Sequence, residues 1–256
     1  MTKLAVIADI HGNLPALEAV MAELEQLQPD HIVLNGDLIN GVPFSAQVVE
    51  RVRQLDWLVV RGNHEFYFLD FGTERAAPDS DDPERWGQLH WLVSHLKQSH
   101  GDYLATLPDE RTLYFLGKQP LRIAHGVPGR NRVGFYNEQP EEKIVAEIAD
   151  IPEATLVSAH THVQIDRHII RRAQPSDLLE SMPHPDPFLE NSARHRWHLI
   201  NPGSVGLPIN GDVRAQFAVL TSVDEGVEPG GWQATHHRVA YDRRPALEAF
   251  HLSGML

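Results

Sequence analysis

Three short apolar runs near the start of the chain each close on residues able to bind a cation, and this pattern constrains the fold most. Residues 3–8, His31–Leu34 and Trp57–Val60 read as buried strands. They end in Asp9-Ile10-His11, Asn35-Gly36-Asp37 and Arg61-Gly62-Asn63-His64. Between the first two, Pro15 opens a helical pattern with Leu14, Leu17, Val20, Met21 and Leu24 on one face. A second helix is predicted over about 44–54, with Val48, Val49 and Val52 inward. This β-α-β-α-β order predicts a parallel sheet with right-handed crossovers. Ligands of such sheets gather beyond the carboxyl ends of the strands, where these polar groups fall.

The later sequence reads differently. Residues 70–85 form a polar loop, and 84–98 a helix with Trp86, Leu89, Val93 and Leu96 on one face. Strands at Thr112–Leu116, Leu121–Ala124, Thr155–Ser158, Trp197–Ile200, Gln216–Thr221 and Trp232–Tyr241, with a helix at about 140–149, predict a second sheet, mixed or antiparallel. The expected architecture is an α/β (α+β) four-layer sandwich, two mixed β-sheets face to face with helices outside. It is read as one domain over 1–256, with a cap-like segment at about 66–110 and a loop insertion at about 166–196.

Two further blocks join the strand ends, His125-Gly126 and His160-Thr161-His162. Carboxylate, imidazole and amide oxygen are ligands of borderline-to-hard divalent metals. Asp9, His11, Asp37, Asn63, His125, His160 and His162 exceed what one ion needs, which points to two metals sharing a carboxylate. Asp37 is the natural bridge, because its two oxygens can face two ions. His64 then stays free for proton transfer. Asn13 either contacts phosphate or caps the helix that follows, and Arg130 either touches a substrate phosphate or is an exposed loop arginine.

In this order, ADIHGN (8–13), NGDLI (35–39), RGNHE (61–65), AHGVPG (124–129) and SAHTH (158–162) resemble the motif series of the calcineurin-like metallophosphoesterase superfamily. Asn201-Pro202-Gly203-Ser204-Val205-Gly206 resembles a tract of its small bacterial members, and the likeness spans about 3–221. The resemblance implies that Asp9, His11, Asp37 and His162 hold one divalent ion (Mn, Fe, Zn, Ni or Mg). Asp37, Asn63, His125 and His160 would hold a second, and His64 would act on the phosphate and its leaving oxygen. Ala159 departs from the Gly usual before the H-x-H pair. The implied activity is hydrolysis of a small, possibly nucleotide-like phosphoester. A protein serine/threonine phosphatase-like activity and a non-catalytic metal-binding scaffold are the competing readings.

Composition narrows the partners. The net charge of −13 argues against long nucleic acid and anionic membranes, and the absence of Cys removes thiolate chemistry. The run Leu4–Ala8 is too short for a signal-peptide core or a membrane span, so a cytoplasmic location is expected. Of the 16 His, those outside the five blocks, among them His168 and His198, lack a partner pattern and read as solvated or structurally satisfied.

Overall fold

The computed structural model describes residues 1–171, 196–224, 228 and 230–255. The first sheet contains β1 (Lys3–Ile7), β2 (His31–Asn35), β3 (Leu58–Val60), β9 (Ala215–Ser222) and β10 (Trp232–Val239), in the order β10-β9-β1-β2-β3. The β1-β2 and β2-β3 pairs are parallel, as the alternating pattern predicts, while β9 runs antiparallel to β1. The second sheet contains β4 (Glu110–Leu113), β5 (Leu121–Ala124), β6 (Thr155–Val157), β7 (Ile165–Ile170) and β8 (Arg196–Asn201), in the order β4-β5-β6-β8-β7. It is also mixed.

Side-chain alternation builds the layers. Leu4 and Val6 of β1 pack with Val33, Ala218, Leu220 and Trp232 against Leu121, Ile123, Val157 and Ile200 of the second sheet. Ala5 and Ile7 face the opposite way, toward α1 (Leu14–Leu27) and α2 (Ser45–Arg53). The far face of the second sheet, with Leu156, Trp197 and Leu199, is covered by Ile144 and Ile148 of α6 (Glu141–Ile148). Strands buried on both faces are apolar at consecutive positions, and this is why β1 and β6 appear in the sequence as unbroken apolar runs. The result is the expected four layers.

The segment after β3 holds three helices: α3 (Asn63–Asp70), α4 (Gly87–His95) and α5 (Gln98–Thr106). Leu89, Leu92, Leu104 and Leu107 in this region enter the same outer core as α1 and α2. Only α4 is apparent from periodicity, and it is shorter than predicted because Leu96 turns extended. The helix α7 (Arg244–Ser253) was also not predicted, although Pro245 in its first turn and left-handed Gly254 at its end are ordinary helix boundary signals. The predicted loop insertion at 166–196 is not a loop at its two ends, where the structure has strand residues, Arg196 being the first of β8. Asp166–Ile170 belong to edge strand β7, paired antiparallel with β8, and residues 172–195 lie outside the described part of the chain. No described helix is long and apolar enough to cross a membrane.

Candidate metal centre

The loops after β1, β2, β5 and β6 converge between the two sheets. The first two are joined by backbone hydrogen bonds from Asp9 N to Gly36 O (3.1 Å), His11 N to Asp37 O (3.0 Å) and Gly12 N to Leu38 O (2.8 Å). The other two meet at Ala159 N and His125 O (2.7 Å), with the Ala159 methyl fully buried. The Asn201–Gly206 tract ties both pairs together. Gly206 N and Ser204 Oγ donate to Asp9 O, and Asn201 Nδ2 donates to Ala159 O. A Cβ on Gly206 would lie 1.8 Å from Ile10 O, so only glycine fits there.

Backbone conformation and residue type coincide at this point. Asp9, His11, Asp37, His160 and His162 all have φ between 51° and 66°. Left-handed φ is unfavourable for side-chain-bearing residues, by roughly 1–2 kcal/mol each, and Asp, Asn and His are among those that adopt it most readily. The strained turns aim the donor atoms of the D-x-H and H-x-H pairs into one space.

Asp9, His11, Asp37 and His162 form one cluster of donor atoms, and Asp37, His125 and His160 a second, so Asp37 is common to both. His11 Nε2 lies 3.6 Å from Asp37 Oδ2 and 3.0 Å from His162 Nε2, which is 3.5 Å from Asp9 Oδ1. On the other side, His125 Nε2 lies 3.3 Å from Asp37 Oδ2 and 3.1 Å from Asn63 Oδ1, and His160 Nδ1 is 2.7 Å from that same amide oxygen.

Three of the rings are oriented from behind. The Nδ1 atoms of His11, His125 and His162 sit 2.7, 2.9 and 2.6 Å from the carbonyls of Asn40, Asn35 and Leu207. A carbonyl only accepts, so each Nδ1 donates and each Nε2 faces the centre, the arrangement that prepares a histidine to bind a metal.

The electrostatics ask for positive charge. Both carboxylate oxygens of Asp9 are buried and accept no hydrogen bond, and burial raises its carboxyl to about 6. Burial opposes the charged form of the His125 ring, yet the adjacent Asp37 carboxylate lifts it to about 10. Burial alone would raise Asp37, but the surrounding rings, His125 first, hold it well below the usual carboxylate range. Burial lowers His11 and His64, and lowers His160 to about 4, so those rings favour the neutral form a metal requires. Unpartnered buried carboxylate charge is very unfavourable, and divalent cations fit this donor set.

His64 lies at the rim, with its side chain 26% exposed. Its backbone N–H donates to Asp37 Oδ1 (2.9 Å), and Asn40 Nδ2 meets its Nδ1 at 2.8 Å. Its Nε2 remains 3.9 Å from Asp37 Oδ2.

The Metallophos family model, described as calcineurin-like phosphoesterase, matches residues 2–180, which include every one of these donors. The chain belongs to the calcineurin-like phosphoesterase family. Membership implies a hydrolase of phosphoesters, and the family uses divalent metals. Among its relatives, the uncharacterised protein MJ0912 of Methanocaldococcus jannaschii is 26% identical over 96% of this chain and 90% of its own length. A solved metallophosphoesterase from Sphaerobacter thermophilus is 26% identical, with a TM-score of 0.69 over 99% of this chain and 94% of that one. The structure of PH1004 from Pyrococcus horikoshii OT3, at 20% identity, shares the fold with a TM-score of 0.74 over 100% and 95% of the two chains.

The seven expected ligands and His64 are therefore gathered at one place in this phosphoesterase fold. Asn13 is buried elsewhere in its loop. Its Oδ1 accepts from Ala16 N at the start of α1, and its Nδ2 donates to Gly206 O and Tyr241 Oη, which matches the helix-cap alternative. Arg130 lines a cleft beside His125 but is ion-paired with Glu147. Sequence reasoning missed two supporting residues. Asn40 holds His11 through its carbonyl and His64 through its amide. Glu65, fully buried, accepts from the N–H groups of Asp37, Leu38, Ile39 and Gly62. A Glu in the third position of a helix that opens at Gly62 is a capping signal, and it was available in RGNHE.

Proposed function

We propose that the protein hydrolyses a small phosphoester at a dinuclear centre, with Asp37 as the shared ligand. Asp9, His11, Asp37 and His162 would hold one divalent ion, and Asp37, Asn63, His125 and His160 the other. The observation that carries this reading is the buried Asp9 carboxylate, with no hydrogen-bond partner, beside a second donor cluster that shares Asp37. Bound there, two divalent ions supply charge neutralisation at the phosphate oxygens and acidify the attacking water.

The chain's own residues supply the rest. The Asn40 amide donates to His64 Nδ1, so a neutral His64 carries its hydrogen on Nε2. That N–H would donate a hydrogen bond to the departing oxygen and stabilise the charge that develops there. The strained turns and the carbonyl-anchored rings keep the ligands in place, so little reorganisation is needed on binding.

Cavity size supports a small substrate. A space of about 760 Å³ opens at His64 and Asn40, bordered by Trp86 and Gln88, and one of about 330 Å³ lies beside His125. Such volumes suit small molecules. The net charge of −13 disfavours extended polyanions. The test is a manganese-loaded assay across aryl mono- and diesters, cyclic nucleotides, dinucleoside polyphosphates and phosphopeptides. Turnover of small esters that Asp37→Asn abolishes is expected. Preference for phosphopeptides would favour a protein phosphatase, and inactivity on the whole panel would leave a non-catalytic scaffold.

A further inference from the structure

We infer a separate transition-metal site on the opposite side of β8 from the strand ends of the dinuclear centre, built from Asp166, His168 and His198. Asp166 and His168 are two apart on β7, so their side chains leave the same face. His168 stands directly opposite His198 in the antiparallel β7-β8 register, and their rings are 4.6 Å apart. One donor atom from each of the three residues lies within 4.8 Å of the others.

His198 carries the argument. It is buried, and its Nδ1 is 3.0 Å from the Trp232 carbonyl. That carbonyl can only accept, so a hydrogen sits on Nδ1. Nε2 hydrogen-bonds Asp166 Oδ1 at 2.7 Å, so a bound cation would take the place of the hydrogen on that side. A buried ring fixed from behind by a carbonyl is shared with the His11, His125 and His162 rings of the dinuclear centre above. An independent group points the same way. Glu228, in the connection between β9 and β10, brings Oε1 to 3.2 Å from His168 Nε2, and that oxygen is buried with no hydrogen-bond partner. Two imidazoles and a carboxylate, with a second carboxylate at hand, suit zinc, nickel or copper rather than magnesium or calcium. Because Glu228 belongs to the β9-β10 hairpin of the first sheet and the other three residues to the second, an ion here would pin the two sheets together at their edge.

The inference is independent of the hydrolytic reading, and its test separates the two. Zinc stoichiometry would be measured by equilibrium dialysis and metal analysis on the full chain, for wild type and for an Asp9→Asn/Asp37→Asn variant. The variant should retain one tightly held zinc, and adding His168→Ala should remove it. His168→Ala in the otherwise unaltered chain should lose one zinc equivalent while phosphoesterase turnover stays at the wild-type level. His168 is exposed enough for this replacement to leave folding intact, which circular dichroism checks. If His168→Ala and Asp166→Asn both bind as much zinc as wild type, the cluster is an ion-pair network and the site does not exist. Loss of zinc only in the Asp9/Asp37 variant would bear on the dinuclear centre instead and would likewise overturn this site.

Discussion

The side-chain amide of Asn40 lies 2.8 Å from Nδ1 of His64, while the Asn40 carbonyl lies 2.7 Å from Nδ1 of His11. One residue thus orients a candidate ligand with its backbone and the candidate catalytic histidine with its side chain. Left-handed φ of 67° at Asn40 makes both contacts possible at once.

Asn40→Ala should therefore affect His64 and spare His11. The ring would lose its fixed tautomer and orientation, and kcat should fall roughly 10- to 100-fold, as for a small misplacement of a catalytic group. KM and metal content should change little. Equal losses in metal content and kcat would instead mean that the substitution disturbs the ligand loop.

Asp9 gives a stability prediction with a definite sign. Burial raises its carboxyl from 3.8 to about 6 in the folded protein, so the folded state holds the proton more tightly than the unfolded one. The stability this gives is full below pH 4 and lost as pH rises through about 6, a difference of about 3 kcal/mol. In chelator-treated protein, Asp9→Asn should flatten this slope and raise the midpoint of urea unfolding at pH 7. Excess divalent metal should reverse the ranking, since a ligand at 100 times its Kd stabilises by about 2.7 kcal/mol and the variant lacks a ligand. A variant that gains as much from metal as wild type would exclude Asp9 from the centre.

Glu65→Gln should destabilise the fold. The carboxylate accepts four backbone N–H groups, two on each oxygen counting the 3.3 Å contact from Ile39. A glutamine amide would turn an NH2 group toward two of those donors and leave them unpaired, at about 1–3 kcal/mol for each buried group left unsatisfied. Urea unfolding should detect a loss of about 2–6 kcal/mol. Turnover should fall as well, because Glu65 holds the Asp37 backbone. A stability within about 0.5 kcal/mol of wild type would falsify this role.

Gly62→Ala tests the close approach of the backbone to Asp37. Its backbone, with φ of −103°, suits any residue, so the constraint is steric. The added methyl carbon would lie 2.1 Å from Asp37 Oδ1 and 2.5 Å from Asp37 N. Asp37 must shift, and the affinity for divalent metal, read by calorimetry, should drop at least tenfold, the lower end for disturbed ligand support. Unchanged affinity would show that Asp37 is not the shared ligand.

How much of this was readable in advance follows from where the information resides. Apolar runs and their polar ends are local, so β1, β2, β3 and the candidate donors Asp9, His11, Asp37, Asn63, His125, His160 and His162 were legible from the chain alone. Weakly periodic elements were not. The helix α3 starts within the residues that read as a strand end, and α5 follows a single extended residue pair after α4, so neither shows as a distinct periodic run. Edge strand β7 is half exposed and polar, as an edge requires, and it read as loop.

The sequence by itself determined the layer order and singled out the candidate donors, because hydrophobic alternation and ligand chemistry are properties of residue type. Tertiary structure alone decided how those donors are held. The carbonyls behind His11, His125 and His162, and the Asp37, Leu38 and Ile39 N–H groups on Glu65, all join segments far apart in the chain. So does the meeting of His168 with His198, two histidines that carry no sequence pattern of their own. Such contacts depend on which loops the two sheets bring together, and no local window of sequence contains that distance.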